Sequence, residues 1–256
     1  MKTANKIAKQ LKFWNREEVD QPLIGYSIGN YFPSSRYPTA TSLFKENEWI
    51  TPELLNPEDF IEDYERLYQL SLSVDQDLIW VAEPLLGIPW LEGMLGSRIR
   101  ATENSLWAEP WVEDWTLLPA QIDLDNNVWF QKYIEFTKIL TKHSQGRFYV
   151  GQSVLRGPSD ILFSLRGHSR AILDFFEFPG EVKRGLKLTS DVYREVISRQ
   201  QKIVPKFEEG YGLGYFYLWA PRPCVWLPED ASAMLSPRLY QEFLCPIDEE
   251  ILRPYD

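Results

Sequence analysis

Two adjacent carboxylates, Glu229 and Asp230, sit between an apolar run and a well-signalled helix start at Ser236-Pro237. Side by side in a loop, such residues can act as a general acid and base, or hold a substrate amine or a metal. They can equally be a solvated loop whose charge favours the amino end of the following helix. Glu83 offers the same chemistry in a second place, closing the apolar run Asp77–Ala82 just before Pro84. A buried carboxylate there is either catalytic or the ion-pair partner of an arginine such as Arg147. Gln152, at the end of another apolar run, is a candidate substrate hydrogen-bonder.

The elements that must position these residues follow from pattern. Tyr215–Trp226, with Phe216, Tyr217, Leu218 and Trp219, reads as a buried strand whose exit loop holds Glu229 and Asp230. Ser236 is suited to accept from an orphan amide and Pro237 to open a helix running to about Leu244. Pro22–Tyr26, Asp77–Ala82 and Arg147–Val154 read as further strands. Asn56-Pro57-Glu58-Asp59 starts a helix with Phe60, Tyr64, Leu67 and Tyr68 on one face. Helical spacing recurs over 129–140, after Gly157-Pro158-Ser159-Asp160 as far as Gly167, and from Pro179 to Pro205. Met1–Arg16 has the mixed lysines and apolar residues of an amphipathic helix and lacks the apolar core of a signal peptide. The stretch 87–119, carrying Trp90, Trp107, Trp111 and Trp115, is an elaborated connection whose tryptophans pack or line a pocket. Strands alternating with helices predict a parallel α/β fold.

Composition narrows the function. The chain has 256 residues, 44% of them hydrophobic, enough for one large α/β domain. A net charge of −10 argues against nucleic acid as a partner. No run reaches the roughly 18 apolar residues of a membrane span. The two cysteines, Cys224 and Cys245, are far apart and suit reduced thiols, so a cytoplasmic protein is expected. His143 and His168 are the only histidines, and neither has a partner at ligand spacing. A small-molecule substrate is the expected partner, and the oligomeric state is left open.

The segment ending in Ser236, Pro237, Tyr240, Phe243 and Pro246 resembles the uroporphyrinogen decarboxylase superfamily, in which an acidic or Ser-containing loop precedes a Ser-Pro-x-x-Tyr-x-x-Phe-x-x-Pro helix. That superfamily includes the decarboxylase itself and methyltransferases that serve corrinoid proteins. The likeness extends to the Gly29-Asn30-Tyr31-Phe32-Pro33 loop, the strand ending at Glu83, and the strand and helix from Gly151 to Gly167.

The resemblance implies a TIM (β/α)8-type barrel spanning 1–256 and incomplete at its carboxyl end. Glu83, Glu229 and Asp230 would be its catalytic residues, with Asn30, Tyr31, Gln152 and Trp219 lining the substrate pocket. The decarboxylase loop Arg-Gln-Ala-Gly-Arg-Tyr-Leu-Pro carries two arginines that Ser27–Pro33 lacks, and a polycarboxylate needs such fixed cations. The family's Ala-Pro-Trp-Thr-Leu-x-x-Tyr is similar to Gly157–Ser164, with Ser164 in place of the tyrosine. Corrinoid-linked methyl transfer, or an uncharacterised relative, is therefore the leading expectation. An authentic decarboxylase and a non-catalytic binding barrel are the alternatives. In the methyltransferase branch zinc binds the thiol cofactor through late His and Cys ligands, which would lie in a longer parent chain. No Asp-x-His-x-x-Gly motif is present, so a corrinoid would arrive on a partner protein.

Overall fold

The computed structural model describes residues 3–28, 33–102 and 105–255. Helices dominate: α1 (Thr3–Trp14), α2 (Pro33–Arg36), α3 (Pro38–Glu46), α4 (Ile61–Ser73), α5 (Trp90–Met94), α6 (Val128–Ser144), α7 (Pro158–Arg166), α8 (His168–Glu177), α9 (Pro179–Ile203), α10 (Pro237–Leu239) and α11 (Cys245–Leu252). Strands are two or three residues long: β1 (Trp49–Ile50), β2 (Val81–Ala82), β3 (Ile99–Ala101), β4 (Leu106–Ala108), β5 (Tyr149–Val150), β6 (Tyr211–Leu213) and β7 (Leu218–Ala220).

Three of these run parallel. β2 pairs with β5 in the register Val81↔Tyr149, and Gln152 just beyond β5 bridges Leu213 of β6 in the same sense. Helix α6 connects the first pair and α7–α9 the second, the βα alternation expected from sequence. β6 and β7 form an antiparallel hairpin, and β1, β3 and β4 form a separate antiparallel sheet. The expected eight-stranded barrel is thus corrected to a mixed helix and sheet fold with small sheets; no closed barrel forms among the described residues.

Side chains explain the short strands. Ile24, in the first expected strand, donates its amide to Asp77 Oδ2 (3.0 Å), and the Tyr26 amide goes to Gln76 Oε1 (3.0 Å). That segment is extended yet pinned mainly by side chains; the backbone bond from the Asp77 amide to the Ile24 carbonyl (2.8 Å) is too little of a ladder to make it a strand. The expected strand over 215–226 is instead a turn through Tyr217, whose φ is +53°, then β7 and an extended segment.

Helix ends follow local chemistry closely. Asn127 caps α6 by accepting from the Phe130 amide (3.1 Å), and Ser236 caps α10 by accepting from Leu239 (3.3 Å). Beyond α10 the chain passes through a π-helical turn at Tyr240–Leu244 straight into α11. The core sits between the short parallel sheet and α4, α6 and α9. Trp90 lies at its centre, with Tyr133 and Phe136 of α6 at ring distances of 5.4 and 5.9 Å. Trp90 and Trp115 are buried packing residues, whereas Trp107 is exposed on β4.

Candidate functional site

A cleft of about 620 Å³ opens at the carboxyl ends of β2, β5 and β6. Open α/β sheets place their ligands at such ends. Its charged and titratable lining is Glu92, Arg156, Asp160, His168 and Asp230, and the rings of Tyr215 and Trp226 stack 4.8 Å apart in its wall. A larger groove of about 930 Å³ follows α9. Its acids Asp125, Asp191 and Glu195 pair with Arg199 and Lys187, and Asp123 accepts from the Asp125 amide and Asn126, so its acids are engaged within their own surroundings.

Asp230 reaches the cleft through an exchange of hydrogen bonds with the amino end of α7. Asp160 accepts from the amides of Asp230 (3.1 Å) and Ala231 (2.5 Å), while Glu229 accepts from the amide (3.0 Å) and hydroxyl of Ser159. Gly157 donates its amide to the Pro228 carbonyl at 2.8 Å. A Cβ at Gly157 would stand 2.1 Å from that oxygen, so only glycine allows the loop to lie this close.

Glu229 and Asp230 therefore differ, although adjacent. Asp230 is exposed at the cleft, whereas Glu229 turns inward toward Asp248, which accepts from the Tyr240 hydroxyl at 2.7 Å. Glu229 Oε1 and Asp248 Oδ1 have no other hydrogen-bond partner. Burial, with the nearby charges of Asp248 and Asp160, pushes the Glu229 carboxyl up to about 8 despite its bonds to Ser159. Burial raises Asp248 as well. Two buried carboxylates so placed favour sharing a proton over both being charged.

Glu83 follows β2 at the same end of the sheet and is 1% exposed. Neither of its oxygens makes a well-formed hydrogen bond. Burial pushes it up to about 7, moderated by Arg36 and the Val154 amide. The arginine near Glu83 is thus Arg36, not Arg147, whose guanidinium bonds Glu65 at 2.9 Å. Arg36 is itself buried and donates to the Tyr217 hydroxyl; burial opposes its charge, but Tyr37, Tyr217 and Glu83 raise its pKa overall. A Cβ at Gly214 would lie 2.6 Å from the Gln152 carbonyl oxygen and 3.1 Å from the Glu83 side chain, so glycine is required by close approach. Val154 lines the cleft, which sets Glu83 behind the wall that Asp230 faces.

The remaining candidates are placed differently. Gln152 donates to the Trp226 carbonyl (2.8 Å) and the Tyr193 hydroxyl (3.2 Å) and accepts from the Trp226 amide (3.2 Å). Its amide imitates a strand neighbour for the extended segment bearing Trp226 and is not turned to the cleft. Trp219 is buried in β7, with its ring N–H on the Phe207 carbonyl and its backbone on Gln10 and Trp14 of α1. Asn30 and Tyr31 lie outside the described residues. Sequence reasoning missed Arg36, Asp160 and Asp248. Asp160 alone had a local signal, the Gly-Pro-Ser-Asp helix start.

The residues present do not fit the zinc site that the resemblance implies for a longer chain. Among the described residues no three His, Cys, Asp or Glu side chains group to hold a metal. His143 pairs with Glu65 (3.0 Å), His168 opens α8 against Phe163, and Cys245 contacts Glu249. No described helix is long and apolar enough to cross a membrane.

No family profile matches the chain, and no curated protein matches it in sequence. Among solved structures it is similar to a methyltransferase from Methanosarcina mazei, with a TM-score of 0.62 and 13% identity over 97% of this chain. The chain spans 65% of that protein's length. At that identity the likeness is one of fold.

Proposed function

We propose that the chain is the core of a methyltransferase-type enzyme acting on a small molecule in the cleft between α7 and the Asp230 loop. The observation that carries this reading is the accessible Asp230 carboxylate beside a stacked aromatic wall, at the carboxyl ends of parallel strands. The fold likeness to a methyltransferase supports it, and so does the sequence resemblance at Ser236, Pro237, Tyr240, Phe243 and Pro246 to the superfamily that includes corrinoid-linked methyltransferases.

In such a transfer, a nucleophile Nu–H attacks the methyl carbon, the Nu–C bond forms, and the donor–carbon bond breaks with its electron pair leaving on the donor. The proton on Nu must go to a base. Asp230, exposed in the cleft, is a carboxylate that can take it, and the imidazole of His168 lies in the same lining. Glu83, buried beside the Val154 amide, is adjacent to the cleft lining and not part of it. The methyl carrier would come on a separate molecule, and a corrinoid protein as partner would meet the chain at this mouth. Decarboxylation of a polycarboxylate is the weaker reading, since three carboxylates line the cleft against the single guanidinium of Arg156.

The test is methyl transfer from methylcobalamin to a small thiol by the full chain, with the Asp230→Asn variant beside it. Loss of about 100-fold or more in rate is expected, with melting unchanged because the side chain is exposed. Equal rates for the two proteins would refute a role for Asp230 in the reaction.

A further inference from the structure

The charges around the cleft do not cancel. Glu92 is 1% exposed and lies 3.1 Å from Arg156 Nη1, so these two neutralise one another. Asp160 is committed to the amides of Asp230 and Ala231. Asp230 is left facing the cavity, and no cation pairs with it among the described residues. The same lining holds His168 and an aromatic pair: Tyr215 and Trp226 stack at an interplanar angle of 17°, and behind them Phe216 meets the Trp226 ring edge-on at 4.8 Å.

An uncancelled carboxylate beside aromatic rings selects a particular chemistry. An anion is repelled. A small hydrated cation is attracted by the acid but cannot shed its water against apolar rings. A methylated ammonium is weakly hydrated, carries its charge on the methyl surface, and is drawn both to ring faces and to a carboxylate.

We propose that the cleft binds a methylated ammonium group, seated against Tyr215 and Trp226 with Asp230 as its counter-charge. The proposal takes its site from the methyl-transfer reading and names the class of molecule that site accepts. The volume of about 620 Å³ leaves room for a substituent on the ammonium.

The test compares choline with 3,3-dimethylbutan-1-ol, which has the same shape and no charge, by calorimetric titration of the full chain. Choline is expected to bind roughly tenfold more tightly than the neutral alcohol. Asp230→Asn is expected to bring choline down to the level of the alcohol, and Trp226→Leu to weaken choline by a similar factor, circular dichroism confirming that both variants fold. Equal affinities for the two probes, unchanged choline binding by Asp230→Asn, or no saturable binding of choline by the folded chain would each overturn the proposal. Binding is read without turnover, so the two readings separate. Methyl transfer from methylcobalamin without choline binding overturns this inference alone, and choline binding without any methyl transfer overturns only the proposed reaction.

Discussion

Replacing Glu229 by Gln tests whether a proton is stored behind the cleft. In the native chain the Glu229 carboxyl is displaced from an ordinary 4.5 to about 8, because it is buried and faces Asp248. A folded-state pKa above the unfolded value stabilises fully below about 4.5, and that stabilisation is lost as pH rises through about 8. At about 1.4 kcal/mol per pH unit the full displacement corresponds to about 5 kcal/mol, which solvent at the partly exposed side chain reduces to about 3. Glutamine keeps an acceptor for Ser159 and offers a permanent donor to Asp248 Oδ1, so the variant has no such loss. Its urea midpoint should match the native protein at pH 5 and correspond to about 3 kcal/mol more stability at pH 8.5, a rise in Tm of roughly 6–10 °C. Glu65, held down to about 2 by Arg147 first among its partners, titrates well below this window and does not confuse it. A variant no more stable than the native chain at pH 8.5, or one whose advantage is the same at both pH values, would refute the shared proton.

Gln152→Leu removes three hydrogen bonds to Trp226 and Tyr193 and leaves the Trp226 amide unpaired, while the Trp226 carbonyl keeps the Tyr193 hydroxyl; the expected cost is about 2 kcal/mol in urea unfolding, with no pH dependence between 5 and 8.5. Arg166→Met should cost about 3–5 kcal/mol by the same measurement, since it strips Asp174, 0% exposed, of its 2.6 Å partner. The double variant Arg166→Met with Asp174→Leu should recover most of that loss, and failure to recover would show that the Arg166 bonds to the Val112 and Glu113 carbonyls dominate instead.

Helices were legible where their ends are written locally. The Gly157-Pro158 start and Gly167 stop of α7, the span of α9 and the Ser236 cap all follow from residues within one turn of the boundary. The runs Asp77–Ala82 and Arg147–Val154 do hold β2 and β5, but the shortness of the strands was not legible, because Asp77, Gln76 and Gln152 supply by side chain much of the pairing that a backbone ladder would otherwise make, and no hydrophobic period encodes that. The acids at the ends of β2 and in the 229–230 loop could be found by type and position. Their environments could not: Ser159 meets Glu229 across 70 residues of sequence, and Asp248 and Arg36 reach the site from helices whose own patterns give no sign of it. The decarboxylase loop carries its arginines in the stretch similar to Ser27–Pro33, whereas here the buried guanidinium comes from Arg36, just beyond it.

Because the strip that carries Trp226 is moored at that residue by two side chains, the Gln152 carboxamide and the Tyr193 hydroxyl, the girth of the aromatic wall is governed by their reach. Asparagine at position 152, one methylene shorter, would draw the Trp226 amide inward; a charged residue would leave that point of the strip to Tyr193. Neither change would touch the helices that give the molecule its rigidity. Breadth of ligand choice and mechanical firmness are thereby assigned to different parts of the chain, and the first can drift while the second stays put.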